Sequence, residues 1–83
     1  MPYPPHRIKF LIYETGKSLG DLADEWSVKP EEMSMCINQT PGRVYPEIRL
    51  LICDLIECSV DEVFGSHPLT TALLQDKQQQ GAA

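Results

Sequence analysis

Leu19-Gly-Asp-Leu-Ala-Asp-Glu-Trp-Ser-Val-Lys-Pro-Glu-Glu-Met-Ser-Met-Cys-Ile-Asn38 is the stretch on which the fold turns. Leu19, Leu22, Ala23 and Trp26 recur at helical spacing. Ser18 stands before them as an N-cap, and Asp21 three residues on makes a weaker form of the capping box. Ser27 is placed to turn the chain, and Val28 follows as an apolar anchor. Pro30 suits the first turn of a second helix, where its missing N–H costs nothing. Glu31 and Glu32 sit where the helix dipole favours negative charge. Met33, Cys36 and Ile37 supply that helix with an apolar stripe, and the small Ala23 lets the two helices cross closely. Lys29, Pro30, Glu31, Ser34, Met35 and Asn38 are left pointing outward.

The same grammar continues on both sides. Residues 1–5 are proline-rich and read as extended. Ile8, Leu11 and Ile12 mark a first helix that Gly16 stops. Thr40-Pro-Gly-Arg-Val44 is a loop by its turn residues. Pro46 and Glu47 open a fourth helix with the cleanest stripe in the chain: Ile48, Leu51, Ile52, Leu55 and Ile56. Ser59 caps a short fifth helix carrying Val60, Val63 and Phe64, and Gly65 ends it. Ser66 and Pro68 start a last turn or two through Leu69, Leu73 and Leu74, and the polar residues 75–83 are expected to fray. No segment alternates with period two over strand length. The expectation is an all-α fold of five helices near 6–15, 18–26, 30–38, 46–57 and 60–64 with a short helical or disordered C-terminal tail. Leu22, Trp26, Met33, Leu51, Ile52 and Leu55 are expected to be buried together.

The 83 residues allow one domain, and a hydrophobic content of 42% supports a small core. Seven Lys and Arg against twelve Asp and Glu leave a net charge of −5. No apolar run approaches the roughly 20 residues that cross a bilayer. The opening residues show no basic region followed by an apolar stretch, so neither a signal peptide nor a membrane association is expected. Cys36, Cys53 and Cys58 form an odd set without a C-x-x-C pair, and read as reduced, mostly buried thiols of a cytoplasmic chain. There is no nucleophile–base constellation, no phosphate-binding glycine loop and no spacing for a metal. The chain reads as a binding protein, with no enzyme activity, cofactor or small-molecule substrate expected.

In a DNA-binding helix-turn-helix, the outward positions of the second helix face the major groove. Over residues 5–66 the chain resembles the phage-repressor and Cro superfamily of helix-turn-helix domains, including the small Ner-like regulators. Leu22-Ala-Asp-Glu-Trp-Ser-Val28 looks like the family's first motif helix and turn, and Ser59-Val-Asp-Glu-Val-Phe-Gly-Ser66 like its short closing helix. The resemblance implies a lambda-repressor-like domain over 5–66, with its motif at 19–38, its recognition helix at 30–38 and a tail at 67–83. It implies a small transcriptional regulator of phage-like or mobile-element origin, working in the cytoplasm or nucleoid on double-stranded DNA. Base-edge contacts then fall on Pro30, Glu31, Ser34 and Met35. Phosphate contacts fall on Ser18 with the N–H groups behind it, on Lys29, Asn38 and Arg43, and on Lys17 if the cations cluster. The turn residue, commonly glycine in the family, is Ser27 here, and a left-handed serine costs about 1 kcal/mol. The bases are offered Pro30, Glu31 and Met35 where the family usually offers Gln, Arg, Ser or Asn. Pairing of half-sites by a homodimer is expected, through the fourth and fifth helices or through Leu69–Leu74. A second reading is open: an acidic module of the same fold that has lost DNA binding and meets a protein partner instead.

Overall fold

Proline and serine set the helix starts. In the computed structural model, which describes residues 2–82 and the side chains of 2–76, six α-helices follow one another and the described residues contain no strand. They are α1 (Pro5–Glu14), α2 (Leu19–Glu25), α3 (Pro30–Ile37), α4 (Pro46–Ile56), α5 (Val60–Val63) and α6 (Pro68–Ala82). Pro5, Pro30 and Pro46 occupy the first turns of α1, α3 and α4. Ser18 and Asp21 cap α2 reciprocally, each through a 3.1 Å bond to the other's backbone N–H. The Glu62 N–H donates to Ser59 Oγ at 3.2 Å to start α5. These ends match the sequence reading to within one or two residues.

The packing explains what the sequence reading missed. α4 lies at the centre, touched by α1, α3, α5 and α6. It therefore buries more than one stripe: Arg49, Leu50 and Cys53 are buried beside Ile48 and Ile52. Leu51, expected inside, is only half-buried. Leu22, Met33 and Ile52 are fully buried as expected, while Trp26 and Leu55 are half-buried against the core.

α6 is the second departure. It runs 15 residues instead of a turn or two, its backbone helical through Ala82. His67 Nδ1 accepts the Leu69 N–H at 3.1 Å, which caps the first turn. Thr70 is buried, its hydroxyl donating to the His67 carbonyl at 2.9 Å, and Leu73 packs on the core. Burial against α4 stabilises a segment whose own composition is a poor predictor of helix. The side chains beyond Asp76, and Ala83 altogether, lie outside the described residues. The N-terminus is tied down as well: the Tyr3 N–H donates to the Val63 carbonyl at 2.8 Å, and Gln39 Nε2 donates to the Tyr3 carbonyl at 3.3 Å. No helix among the described residues is long and apolar enough to cross a membrane.

Candidate nucleic-acid interface

A left-handed residue turns the chain between α2 and α3. Ser27 lies in the left-handed region with φ 55°. That lets the Val28 N–H reach back to the Ala23 carbonyl at 2.9 Å while Val28 folds onto the core. Leu22 and Ala23 of α2 and Met33, Cys36 and Ile37 of α3 close the inner side. At about 100° per residue, these three α3 residues share one face. Glu31, Ser34 and Asn38 share the opposite one and are exposed; Pro30, in the first turn and also exposed, falls on the side of Ile37, seven residues on. Met35, expected fully outward with them, is half-buried at the face's edge. Asn38 is the C-cap of α3.

The residues expected to meet phosphate are not equally available. Lys29 and Arg43 are exposed, and neither forms an ion pair among the described residues. Arg43 sits in the loop after α3, its N–H bonded to the Thr40 carbonyl at 3.0 Å. Lys17 is engaged: its Nζ lies 2.8 Å from Glu25 Oε2 in an exposed ion pair. Ser18 Oγ is occupied by the α2 cap, and the Ser18 backbone N–H and then its side chain hold the Asp21 carboxyl below the usual carboxylate range. Asn38 Nδ2 donates to Ser34 Oγ at 3.3 Å, so a base or phosphate must compete with that bond. Glu32 is half-buried, with Oε1 accepting the Lys29 N–H at 3.3 Å; it serves the helix start. Glu31 is the carboxylate of this face that is left exposed.

Arg49 escaped the sequence reading. It is 7% exposed, with its guanidinium 5.0 Å from the centre of the Phe64 ring. Its Nε has no hydrogen-bond partner among the described residues. One of the seven cations is thus withdrawn from the surface field. The signal available in one dimension was its place between Ile48 and Leu50, but nothing there said that Phe64 would cover it. Phe10 escaped too: 61% exposed, it forms a ridge with Tyr13, 59% exposed, on the face of α1 opposite Ile8 and Ile12.

The three cysteines are free thiols, Cys36 and Cys53 buried and Cys58 half-buried. Burial pushes the Cys36 thiol up to about 11, against the pull of Arg49. Burial, with Cys58 and Cys36 adding, pushes Cys53 up to about 12. Such thiols pack as small hydrophobes and are poor nucleophiles. No group of His, Cys, Asp and Glu suited to a metal ion occurs among the described residues. Comparison with family models, with curated proteins and with solved structures finds no match to this chain.

Proposed function

We propose that the chain is a small sequence-specific DNA-binding regulator that lays the outward face of α3 in the major groove. The observation that carries this reading is the left-handed Ser27. It turns the chain from α2 into α3, on which Pro30, Glu31 and Ser34 are exposed, as a helix-turn-helix reading requires. The resemblance to repressor and Cro domains over residues 5–66 supports the same reading. Lys29 and Arg43 flank the face as phosphate contacts, and the Lys17–Glu25 pair, being exposed and weak, opens when Lys17 meets a phosphate. Glu31 is suited to accept from cytosine N4, and Met35 to an apolar contact at the groove edge. The reading involves no catalysis and no cofactor.

The test measures fluorescence anisotropy with mixed duplexes at about 50 mM and about 200 mM salt. Wild-type binding is expected to be salt-sensitive. Lys29→Ala and Arg43→Ala each flatten the slope of log affinity against log salt by about one. Glu31→Gln with Glu32→Gln removes phosphate repulsion at a helix-start cost of about 2 kcal/mol or less, so a folded double variant binds arbitrary duplexes more tightly. Unchanged or weaker binding by that variant rejects an α3 lying against phosphates.

The charge distribution favours a second reading, a protein-interaction module. Lys17 is paired, Arg49 is buried, and four carboxylates stand between Asp24 and Asn38 against Lys29 alone. On that reading wild type and both alanine variants are inert to DNA at the lower salt, and the Gln variant loses affinity for a basic partner.

A further inference from the structure

We propose that copies of this chain associate head to tail, the aromatic ridge of α1 on one copy seating in the groove between α4 and α6 of the next. The inference is independent of what α3 binds.

The ridge is expensive for a structure that has no use for it. Phe10 and Tyr13, three residues apart and therefore neighbours on the helix surface, are 61% and 59% exposed. Lys9 borders them on one side and Arg7, stacked 4.4 Å over the Tyr3 ring, on the other. The charges of α1 also run against its dipole: the first turn holds no carboxylate, the last turn holds no cation, and Glu14 ends the helix. Fold stability favours the reverse order.

Charge is segregated along the chain in the same sense. Residues 1–20 carry three cations and one carboxylate; residues 21–83 carry four cations and eleven carboxylates. An anionic membrane broad enough to cover the molecule, 34 × 25 × 21 Å, meets the acidic majority. A partner confined to α1, about 15 Å long at 1.5 Å per residue, meets Arg7 and Lys9 against Glu14 and, beside Tyr3, Glu62, because screening cuts off the rest within about 8–10 Å.

The chain itself offers the complement. Between α4 and α6 lies a groove of about 490 Å³ with Pro46, Leu69, Ala72 and Leu73 as its apolar lining and Glu47 and Asp76 as its carboxylates. Leu69 is 52% exposed there. Aromatic rings meet aliphatic side chains, and Lys9 and Arg7 meet Glu47 and Asp76. Ridge and groove are different surfaces, and in the head-to-tail arrangement two neighbouring copies share one such contact, which is heterologous. One copy uses both at once, and the series does not close at two.

Sedimentation velocity of the full chain from about 10 μM to about 1 mM, at low and at high salt, tests this. The weight-average mass is expected to rise past twice the monomer at low salt and to fall back at high salt. A ridge variant, Phe10→Ser with Tyr13→Ser, and a groove variant, Leu69→Glu, are each expected to stay monomeric with wild-type circular dichroism. All three sites are exposed, so folding is retained. Mixed in equal amounts, the two variants are expected to form a one-to-one dimer and stop, because one intact groove and one intact ridge remain. A wild type that is monomeric throughout, a wild type that halts at a dimer, or single variants that associate as wild type does overturns the proposal. Loss of binding to phosphatidylserine vesicles or to an acidic peptide in the ridge variant, with self-association unchanged, overturns it in favour of that other occupant.

Discussion

Replacing Ser27 tests the joint on which the candidate interface depends. The residue holds φ 55° between α2 and α3, and its own N–H donates to the Asp24 carbonyl at 3.3 Å. A left-handed conformation costs an L-residue about 1–2 kcal/mol. Glycine avoids that cost but loses about 0.5–1 kcal/mol of chain entropy on folding. Ser27→Gly is therefore expected to stabilise the protein by about 0.5 kcal/mol. Ser27→Val adds β-branched crowding in the same backbone region and is expected to destabilise it by about 1 kcal/mol. The gap of about 1.5 kcal/mol corresponds to roughly 10 °C in Tm for a domain of this size. Thermal unfolding by far-UV circular dichroism reads it, and urea titrations with an unchanged m-value confirm that stability has moved. Two other left-handed residues serve as internal comparisons. Glu57→Gly at the C-cap of α4 gains for the same reason and also removes a carboxylate from the helix's negative end. Tyr45→Gly relieves the backbone at φ 47° but strips a ring packed on the core, and loses stability. A Ser27→Val protein as stable as the Ser27→Gly protein refutes the left-handed joint, and with it the turn from α2 into α3.

Arg49→Met is expected to leave stability unchanged or raise it by about 1 kcal/mol. The loss of about 0.5–2 kcal/mol of cation–π attraction to Phe64 is offset by removing a buried, unpartnered N–H worth about 1–3 kcal/mol; a fall in the urea midpoint equivalent to more than about 2 kcal/mol contradicts the geometry. Iodoacetamide near pH 8 is expected to label the half-buried Cys58 in the folded protein and all three cysteines in urea, as mass spectrometry reads directly. The Cys36 and Cys53 thiols rise from 9.0 to about 11 and about 12 on folding, so an unfolded chain loses those protons first. Their contribution is intact below pH 9 and falls away above it, and an alkaline limb that persists in a Cys36→Ala, Cys53→Ala protein assigns it elsewhere. Asp21 has its carboxyl lowered from 3.8 by Ser18, so its contribution is present above that value and is lost as pH falls through the lower folded one. The stability gap between wild type and Asp21→Asn should narrow from pH 7 to about pH 3, and a constant gap contradicts the capping account.

The helix starts were legible because caps and proline act within four residues of themselves. Ser18 with Asp21 and Ser59 with Glu62 form their cap bonds, and Pro30 and Pro46 take first-turn positions. The stripe of α3 was legible too: α1, α2 and α4 all meet the one face that carries Met33, Cys36 and Ile37. The exposed set Pro30, Glu31, Ser34 and Asn38 followed as the remainder.

What lay beyond reach depended on partners distant in the chain. A hydrophobic stripe reports the side of a helix that faces one layer, and α4 faces several. Arg49 is buried with Phe64 lying across it, and Leu51 is half-exposed although it belongs to the same sequence stripe as Ile48 and Ile52. Residues 75–82 read as a fraying tail because their own helix propensity is weak evidence, whereas the helix they continue is held on α4 with Leu73 packed on the core. The charges available to a ligand were decided the same way. Composition set the total at −5, but only the tertiary structure paired Lys17 with Glu25, withdrew Arg49 into the core and left Lys29 and Arg43 exposed beside α3. Local bonds are written in adjacent residues, whereas burial and charge pairing are properties of surfaces that exist only once the helices have met.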